Sequence, residues 1–504
     1  MFTLLLCATL ALVVIVMSTF ALLAIANRRW RAARAAQLVS TAKMQKMIAR
    51  HHPSVQVVHA AVARIFHCGD GRASTTDRIC VDLQYNRTHD LPVRAMLKTI
   101  LLPPWQRIGG VATMKLAAVA ARLLRPVGLD RLVYAATNLY NFYFPHAPDV
   151  MYVTEATFYA TLHSEVSQLI DLPQLLGTEL DGRRRQWGVL IEDVSTCGAR
   201  FPTALEEVEV AHVVGLLEQY AKLHAHFWCS PRFEGDLAWV PTVASGGMQP
   251  VFSSLGEGLV TDHVRTNEFE RQLLAPLGLS VAELWRGLEG CHQLMATPPL
   301  TLCHGDAHVQ NTYVCADGRA GIFDFQLALR AAWFRDVSYI VGTALSPAQR
   351  SRLEERLLAG YLEALRSHGV GAPPELPHAR KLYACGMAWG LVIGWLLCPP
   401  SNYGEQLLSA NIRRLVAACR DLGTFELLGV VKQATRKPHL RPHGPLPASG
   451  DAARRADVAQ RTPSRSPVRR AFATTTSPAR RPRTREVARQ GIKASKHGSG
   501  AKVS

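Results

Sequence analysis

The sequence predicts an α+β protein of two lobes, a β-rich lobe followed by a mainly helical one. Between residues 55 and 100, three short apolar runs that contain β-branched residues alternate with turn residues, which is typical of hairpins. From about residue 205 onward, apolar residues recur at helical spacing, interrupted by a strand-like stretch over 300–325. At 504 residues, the chain is long enough for both lobes and for flanking segments.

The positive charge of the chain lies at its two ends. The formal net charge is +18, yet residues 1–69 carry eight Lys or Arg and no acid, and residues 432–504 carry 18 Lys or Arg against three acids. The body between them, residues 70–431, holds 31 basic and 36 acidic residues, a net charge of −5. The sequence therefore does not predict the basic surface of a nucleic-acid-binding domain for the body.

The cysteines argue against two kinds of stabilised domain. There are eleven of them, an odd number, and they are widely spaced without a Cys-x-x-Cys pair. A disulfide framework and a structural zinc site are therefore not predicted, and the pattern suits a reducing compartment.

The N-terminal segment has the composition of a membrane span. Residues 2–26 contain no charged side chain, and about 20 apolar residues suffice to cross a bilayer as a helix. We therefore expect a single-pass anchor over 1–27, and the basic run Arg28–Arg34 predicts that the rest of the chain lies on the cytoplasmic side, beginning with a basic juxtamembrane segment over 28–54. Ala24-Ile25-Ala26 leaves a cleaved signal peptide as the alternative, although the segment lacks a basic n-region and is longer than usual.

The C-terminal segment, residues 432–504, is rich in Arg, Pro, Ser, Thr and Ala and contains few aliphatic residues. Such a composition cannot bury enough apolar surface to offset the entropy of ordering, so we expect a disordered tail. Its charge is suited to contact with anionic lipid or nucleic acid, and a solvated tail without a specific partner is the alternative.

Local patterns predict the elements of the body in order. The predicted elements up to the end of the first lobe are strands Val55–Phe66, Ile79–Tyr85 and Ala95–Ile100, a helix over 151–169 and a strand Gln186–Glu192. An amphipathic helix follows over Leu205–Phe227, with Thr203 and Glu206 as a capping box at its start. The apolar stretch Leu382–Cys398 is short and broken by glycines, which favours a buried helix over a second span.

Two motifs in the second lobe carry residues suited to phosphoryl transfer. The first contains His304-Gly305-Asp306 and, five residues after the aspartate, Asn311; the second contains Asp324. Phosphoryl transfer to an alcohol needs a carboxylate that accepts the hydroxyl proton, and oxygen ligands that hold Mg²⁺ against the phosphates of ATP. Asp306 is the candidate base, and Asn311 and Asp324 are the candidate ligands of Mg²⁺.

These motifs are similar to those of the aminoglycoside phosphotransferase and choline kinase superfamily. Asp324-Phe325-Gln326, followed by Arg335-Asp336, resembles most closely its ecdysteroid-kinase-like branch. The resemblance implies a two-lobed protein-kinase-like fold with an N-lobe over 55–194 and a C-lobe over 195–431. It also implies ATP and Mg²⁺ as cofactors and a small-molecule alcohol as the acceptor. No obligate protein partner is inferred from the sequence.

The resemblance assigns further residues to the nucleotide. It implies that Lys98 binds the phosphates and that Glu155 pairs with it, although an exposed lysine and a surface glutamate are the commoner reading of such residues. The remaining residues implied to bind the nucleotide are Gly69, Gly71 and Ser74 in a glycine-rich loop, and Glu192 to Val194 at the hinge between the lobes. Any hairpin can contain such a loop, and an ordinary buried strand would explain the hinge sequence equally well.

Four further points complete the expectations. Residues 99–150 form an insertion longer than the family pattern predicts. His224 and His304 are expected to be structural, and Asp336 is expected to anchor the catalytic loop by hydrogen bonds.

Besides the enzyme, two alternatives remain open: a nucleotide-binding pseudokinase scaffold, and a protein that binds nucleic acid or an anionic surface through the tail.

Overall fold

The structure is a computed structural model, and it describes residues 2–66, 76–87, 90–102, 116–143 and 148–430, with the backbone alone for 2–17, 20, 24 and 138–143. The predictions for Gly69, Gly71 and Ser74, and for the tail over 432–504, lie outside the described residues.

The small lobe is built on a five-stranded antiparallel sheet with the strand order β1-β2-β3-β5-β4. Its strands are β1 (Val57–Phe66), β2 (Arg78–Tyr85), β3 (Arg94–Thr99), β4 (Leu175–Asp181) and β5 (Gln186–Glu192). Four of them confirm the strands predicted from alternating apolar residues, and β4 is an additional one. The lobe is therefore β-rich, as predicted.

Two consecutive helices directly precede the fourth strand. Helices α5 (Asp149–Thr161) and α6 (His163–Val166) correspond to the helix predicted over 151–169, with an interruption at Leu162. Helix α5 packs on β4 and β5, and Phe158 and Tyr159 are buried in the interface. Glu155, on the same helix, is carried toward β3 by this packing.

The large lobe is mainly helical, as predicted. Its helices are α7 (Val210–His226), α8 (Gln249–Thr266), α9 (Glu268–Leu274), α10 (Val281–Met295), α11 (Phe334–Ala344), α12 (Pro347–Ser367), α13 (Leu376–Trp389), α14 (Pro400–Tyr403), α15 (Glu405–Leu422) and α16 (Thr424–Leu427). Two small antiparallel pairs confirm the strand-like stretch: β6 (Leu300–Cys303) with β9 (Leu329–Ala332), and β7 (Thr312–Val314) with β8 (Ala320–Ile322).

The predicted start of the first long helix of this lobe is wrong. Helix α7 begins at Val210 and not at Leu205. Thr203 and Glu206 form one half of the expected capping box, with the Thr203 N–H donating to Glu206 at 2.8 Å, but the Thr203 hydroxyl accepts from the Leu205 N–H at 3.2 Å and not from Glu206. This contact closes a non-helical turn, and Val208 is the buried residue between this turn and the start of the helix.

The apolar stretch Leu382–Cys398 is buried in the large lobe, which confirms the prediction of a core helix. It comprises the end of α13 and a π-helix, Gly390–Leu396. The ring of Tyr339 lies so close to Gly390 and Gly394 that a Cβ at either position would collide with it. The glycines that make the stretch look broken therefore allow close packing around this tyrosine.

The N-terminal segment forms helices α1 (Phe2–Leu38) and α2 (Thr41–Ile48). Most side chains of residues 2–26, the predicted membrane span, lie outside the described residues. Within the described part of the chain, we find no helix with the length and apolar character needed to cross a bilayer, so the predicted span has no support here. From Arg31 onward, the segment treated above as juxtamembrane packs on the small lobe.

The long insertion after β3 contains two helices, α3 (residues 116–124) and α4 (Asp130–Tyr143). Helix α4 contacts both α1 and, in the large lobe, α8. Its Tyr134 ring lies against Gly258 of α8, where a Cβ would collide with the ring. The insertion thus connects the N-terminal helix with the large lobe.

Candidate active site

Lys98 of β3 joins two carboxylates that come from distant parts of the chain. It is only 5% exposed, and its Nζ donates to Glu155 at 2.7 Å and to Asp324 at 2.8 Å. Glu155 comes from α5, and Asp324 comes from the loop that follows β8. The structure therefore brings together three of the residues singled out from the sequence, one from each of three elements.

The charges of this cluster follow from burial and proximity. Burial on its own lowers the pKa of Lys98, but Asp324 and Glu155 more than offset it, so the pKa is raised and the ammonium stays charged. Burial likewise raises the pKa of Asp324, and Lys98 reverses this and holds the pKa below its usual value. Burial raises the pKa of Glu155 to about 7, and the charge of Asp324 also raises it. Lys98 lowers this pKa but does not offset the rise, because it is shared between two acids. Asp324 therefore keeps the negative charge more firmly than Glu155 does.

Asp324 is also held in an unusual backbone conformation. Its φ of +73° lies in the left-handed region, which costs a residue other than glycine about 1–3 kcal/mol. The next residue, Phe325, stacks on Phe158 of α5 with ring centroids 3.9 Å apart and planes within 6°. This stacking fixes the loop against the helix that carries Glu155, so Asp324 meets Lys98 in a defined geometry.

The catalytic loop, residues 304–311, leaves β6 and is anchored by the buried carboxylate of Asp336. The backbone N–H groups of His304 and Gly305 donate to the two Asp336 oxygens at 2.7 and 2.9 Å. The ring of His224 lies 3.1 Å from the same carboxylate. Burial alone would raise the pKa of Asp336, and its bond with His224 outweighs burial, so the pKa is lowered. This network confirms the expected structural roles of His224 and Asp336.

His224, Cys303 and Asp336 also stand close enough together to suggest a metal site. Their polar atoms are, however, used within the protein: the second ring nitrogen of His224 lies 2.7 Å from the Tyr361 hydroxyl, and the Cys303 thiol donates to the Ala331 carbonyl at 3.6 Å. The cluster is therefore fully explained as an anchor of the loop.

Gly305 and Arg335 complete this anchor. Gly305 has a φ of +82°, and a Cβ there would collide with the carbonyl of Leu327, so no other residue fits. Its own carbonyl accepts a hydrogen bond from Arg335 at 2.9 Å, and the Arg335 guanidinium lies 3.4 Å from the centre of the Trp389 ring. Burial lowers the pKa of Arg335 to about 10. The sequence analysis assigned no role to Arg335. Its position directly before Asp336 could have indicated that it helps to anchor the loop.

Asp306 and Asn311 face each other across the loop. The Asn311 amide donates to the backbone carbonyl of Asp306 at 2.9 Å and to its carboxylate at 3.2 Å. His308 Nε2 lies 3.7 Å from the same carboxylate. The five-residue spacing seen in the sequence thus closes a turn that places both side chains on one side of the loop.

The loop is tied to the segment that carries Asp324. The His304 ring accepts from the Asp306 N–H at 3.2 Å and, through its other nitrogen, lies 2.9 Å from the Phe323 carbonyl. The Phe323 N–H in turn donates to the Asn311 carbonyl at 3.1 Å. The backbone of Phe323, the residue before Asp324, is therefore joined by hydrogen bonds to the loop that carries Asp306 and Asn311.

The predicted hinge residues follow β5. The backbone N–H of Glu192 donates to the Gln174 carbonyl at 2.8 Å, and the Asp193 N–H donates to the Arg94 carbonyl at 3.3 Å. The Val194 carbonyl accepts from Ala199 at 3.3 Å. Part of the backbone that was expected to meet a nucleotide is thus engaged within the protein.

Comparisons with known proteins agree with the site. A model of the phosphotransferase enzyme family, APH, matches residues 187–372. No curated protein sequence matches the chain.

Several solved structures are similar to the chain at low identity. A GDP complex of aminoglycoside 2'-phosphotransferase-IIIa is 12% identical, with a TM-score of 0.33 over 76% of this chain and 99% of that one. A microcompartment-associated aminopropanol kinase is 14% identical, with a TM-score of 0.36 over 73% of this chain and 94% of that one. An ethanolamine kinase of Plasmodium vivax is 11% identical, with a TM-score of 0.37 over 73% of this chain and 82% of that one.

The matched residues 187–372 contain the catalytic loop with Asp306 and Asn311, the segment with Asp324 and the anchor Asp336. The narrower resemblance to the ecdysteroid-kinase-like branch stays a prediction. The family match therefore supports, over residues 187–372, the resemblance to the aminoglycoside phosphotransferase and choline kinase superfamily.

Proposed function

We propose that the chain is a kinase that transfers the γ-phosphoryl group of ATP to a hydroxyl group of a small molecule. One observation carries the proposal: Lys98 reaches from the small lobe to Asp324 at 2.8 Å, beside the loop that holds Asp306 and Asn311. This combination of an ammonium, two carboxylates and a carboxamide is what phosphoryl transfer requires.

The small lobe would hold the nucleotide. Lys98, oriented by Glu155, is the cation for the α- and β-phosphates, since a lysine fixed between carboxylates presents its charge in one place. The Glu192 carbonyl and the Val194 N–H are the backbone groups proposed for the edge of the adenine. The glycine-rich loop with Gly69, Gly71 and Ser74 remains a prediction for the phosphates.

Asn311 and Asp324 would hold Mg²⁺. The donor set fits, because Mg²⁺ prefers carboxylate and carboxamide oxygens and Lys98 engages only one Asp324 oxygen, Oδ1. When bound, Mg²⁺ neutralises charge on the transferring phosphates. The left-handed backbone of Asp324 and its bond to Lys98 would fix the position of this carboxylate for the metal.

Asp306 would orient the acceptor. The acceptor oxygen forms a bond to the γ-phosphorus, the bond from this phosphorus to the β,γ-bridging oxygen breaks, and ADP leaves with the electron pair. The hydroxyl proton passes to the Asp306 carboxylate. The Asn311 amide, 3.2 Å from this carboxylate, keeps Asp306 turned toward the acceptor.

Phosphate transfer from ATP with a matched pair of variants tests the proposal. The chain would be incubated with γ-labelled ATP, Mg²⁺ and a library of small alcohols. Asp306→Asn is expected to lower the rate by about 10²–10⁴-fold, because the proton acceptor is lost. Asp317→Asn, an exposed aspartate in the turn before β8, is the control and should retain the wild-type rate.

Equal turnover by the wild type and Asp306→Asn would contradict the proposal. Stabilisation of the fold by ATP and Mg²⁺ without transfer to any acceptor would instead favour the pseudokinase alternative.

A further inference from the structure

The N-terminal arm, defined here as residues 31–48 of α1 and α2, is built into the small lobe. Its apolar side chains share one core with the strands β2, β3 and β5. The buried members contributed by the arm are Ala35, Leu38, Val39, Met44, Met47 and Ile48. The arm is therefore part of the lobe that carries Lys98.

A buried ion pair connects this arm to the end of the lysine strand. Arg31 Nη1 donates to Asp77 Oδ1 at 2.9 Å, and the two side chains are each 3% exposed. The Asp77 carbonyl accepts from the N–H of Thr99, the residue after Lys98, at 3.3 Å. The Asp77 N–H donates to the hydroxyl of Tyr152 at 3.2 Å, and Tyr152 lies one turn before Glu155 on α5. Asp77 therefore contacts both the strand that carries Lys98 and the helix that carries Glu155.

A second connection starts one turn further along α1. Arg34 Nη2 donates to Gln186 Oε1 at 3.0 Å, and the Gln186 amide donates to the Thr99 hydroxyl at 2.8 Å. This hydroxyl donates in turn to the Trp187 carbonyl at 2.9 Å. Arg31 and Arg34, on one face of the helix, thus reach Thr99 from two directions.

We propose that Arg31 and Arg34 are positioning residues for Lys98, so that docking of the N-terminal arm sets the affinity of the cleft for nucleotide. The inference rests on the proposed function for its nucleotide readout. Thr99 is fully buried and adjacent to Lys98, so a shift of Thr99 moves the ammonium relative to Glu155 and Asp324. A factor that lifts α1 from the lobe would then weaken nucleotide binding without touching the cleft.

The test compares four substitutions on one helix, of which Arg31→Lys is described below. Arg31→Met and Arg34→Met remove the two connections, and Arg29→Met removes an exposed charge two residues earlier as the control. Two quantities are measured on the full chain: the Kd for ATP with Mg²⁺, and the rate at which acetic anhydride acetylates Lys98 relative to the exposed Lys381. The second quantity needs no nucleotide.

Arg31→Met is expected to raise the Kd about tenfold and Arg34→Met about threefold, and both are expected to accelerate acetylation of Lys98. Arg29→Met should change neither quantity. Arg31→Lys keeps the charge opposite Asp77 and is expected to restore most of the affinity, which a purely structural loss of packing would not predict.

Unchanged acetylation of Lys98 in folded Arg31→Met and Arg34→Met would overturn the inference. If Arg31→Met does not fold, the result for Arg34→Met decides the question. Arg34 is partly exposed and its partner Gln186 is neutral, so its loss leaves no buried charge unpaired. If the wild type binds no nucleotide, the proposed function fails, while the acetylation rates still decide the role of the arm.

Discussion

One buried aspartate holds each side of the cleft, and the two carboxylates are stabilised by different kinds of partner. Asp336, on the large-lobe side, accepts from two backbone amides of the catalytic loop and pairs with His224. Asp77, on the small-lobe side, pairs with Arg31, a residue 46 positions earlier in the chain. The loop with Asp306 is therefore fixed by the core of its own lobe, whereas the strand with Lys98 depends on an arm added at the N-terminus.

This difference indicates which part of the site depends on docking of a separate helix. A network of backbone amides and buried rings forms whenever the large lobe folds, because its members are core residues already. An ion pair with a separate helix forms only when that helix docks, and breaking it leaves a buried charge. The side of the cleft that carries Lys98 should therefore be the more easily perturbed one.

The largest expected effect is on the large-lobe side. Asp336→Ala removes the acceptor of the His304 and Gly305 amides, so the free energy of unfolding should fall by about 3–5 kcal/mol and phosphate transfer should be lost. Asp336→Asn retains one acceptor oxygen and should lose less. Urea titration measures both, and an unfolding free energy of wild-type size for Asp336→Ala would show that the loop is held by other contacts.

A smaller effect is expected where the arm meets the sheet. A Cβ at Gly177 of β4 would lie 2.8 Å from the backbone of Met47 in α2, so Gly177→Ala must displace the helix. We expect a loss of about 1–3 kcal/mol in the free energy of unfolding. Gly182→Ala, in the turn between β4 and β5, has open space and should be neutral. Equal stability of the two variants in thermal or urea unfolding would contradict the close docking of α2.

The smallest effect concerns a buried acid outside both networks. Glu270 of α9 is fully buried, and burial raises its pKa to about 8. In the range from about pH 4.5 to about pH 8, the folded chain holds this proton and the unfolded chain releases it, so stability falls as the pH rises.

Glu270→Gln removes this titration. Between pH 5 and pH 8 the variant should not share the fall in unfolding free energy expected of the wild type, which urea unfolding at several pH values measures. Parallel pH profiles of the two proteins would contradict the raised pKa.

Much of the fold and of the catalytic loop could be predicted from the sequence, because both depend on local patterns. Alternating apolar residues predicted strands such as Gln186–Glu192 with its observed bounds. The five-residue spacing of Asp306 and Asn311 and the later Asp324 also reflect local geometry, a turn and a strand end. Lys98 and Glu155 could be found only through the family resemblance, since neither residue stands out by itself.

The role of the N-terminal arm could not be predicted in this way. Arg31 and Arg34 lie in a basic run directly after an apolar segment, which normally indicates a membrane boundary. Nothing local distinguishes them from Arg28 and Arg29, which are exposed. Their partners, Asp77 and Gln186, become neighbours only when the sheet forms, so burial of these charges is a tertiary property.

The insertion helix α4 has a consequence for motion of the lobes. Lys98 lies on β3 and Glu155 on α5, and the chain passes through α4 between them. The two partners of this ion pair therefore flank one excursion of the chain, the segment that contains α4. Tyr134 of that excursion rests on Gly258 in the large lobe, so a separation of the lobes would have to break a close contact between α4 and α8 or carry α4 along with the large lobe.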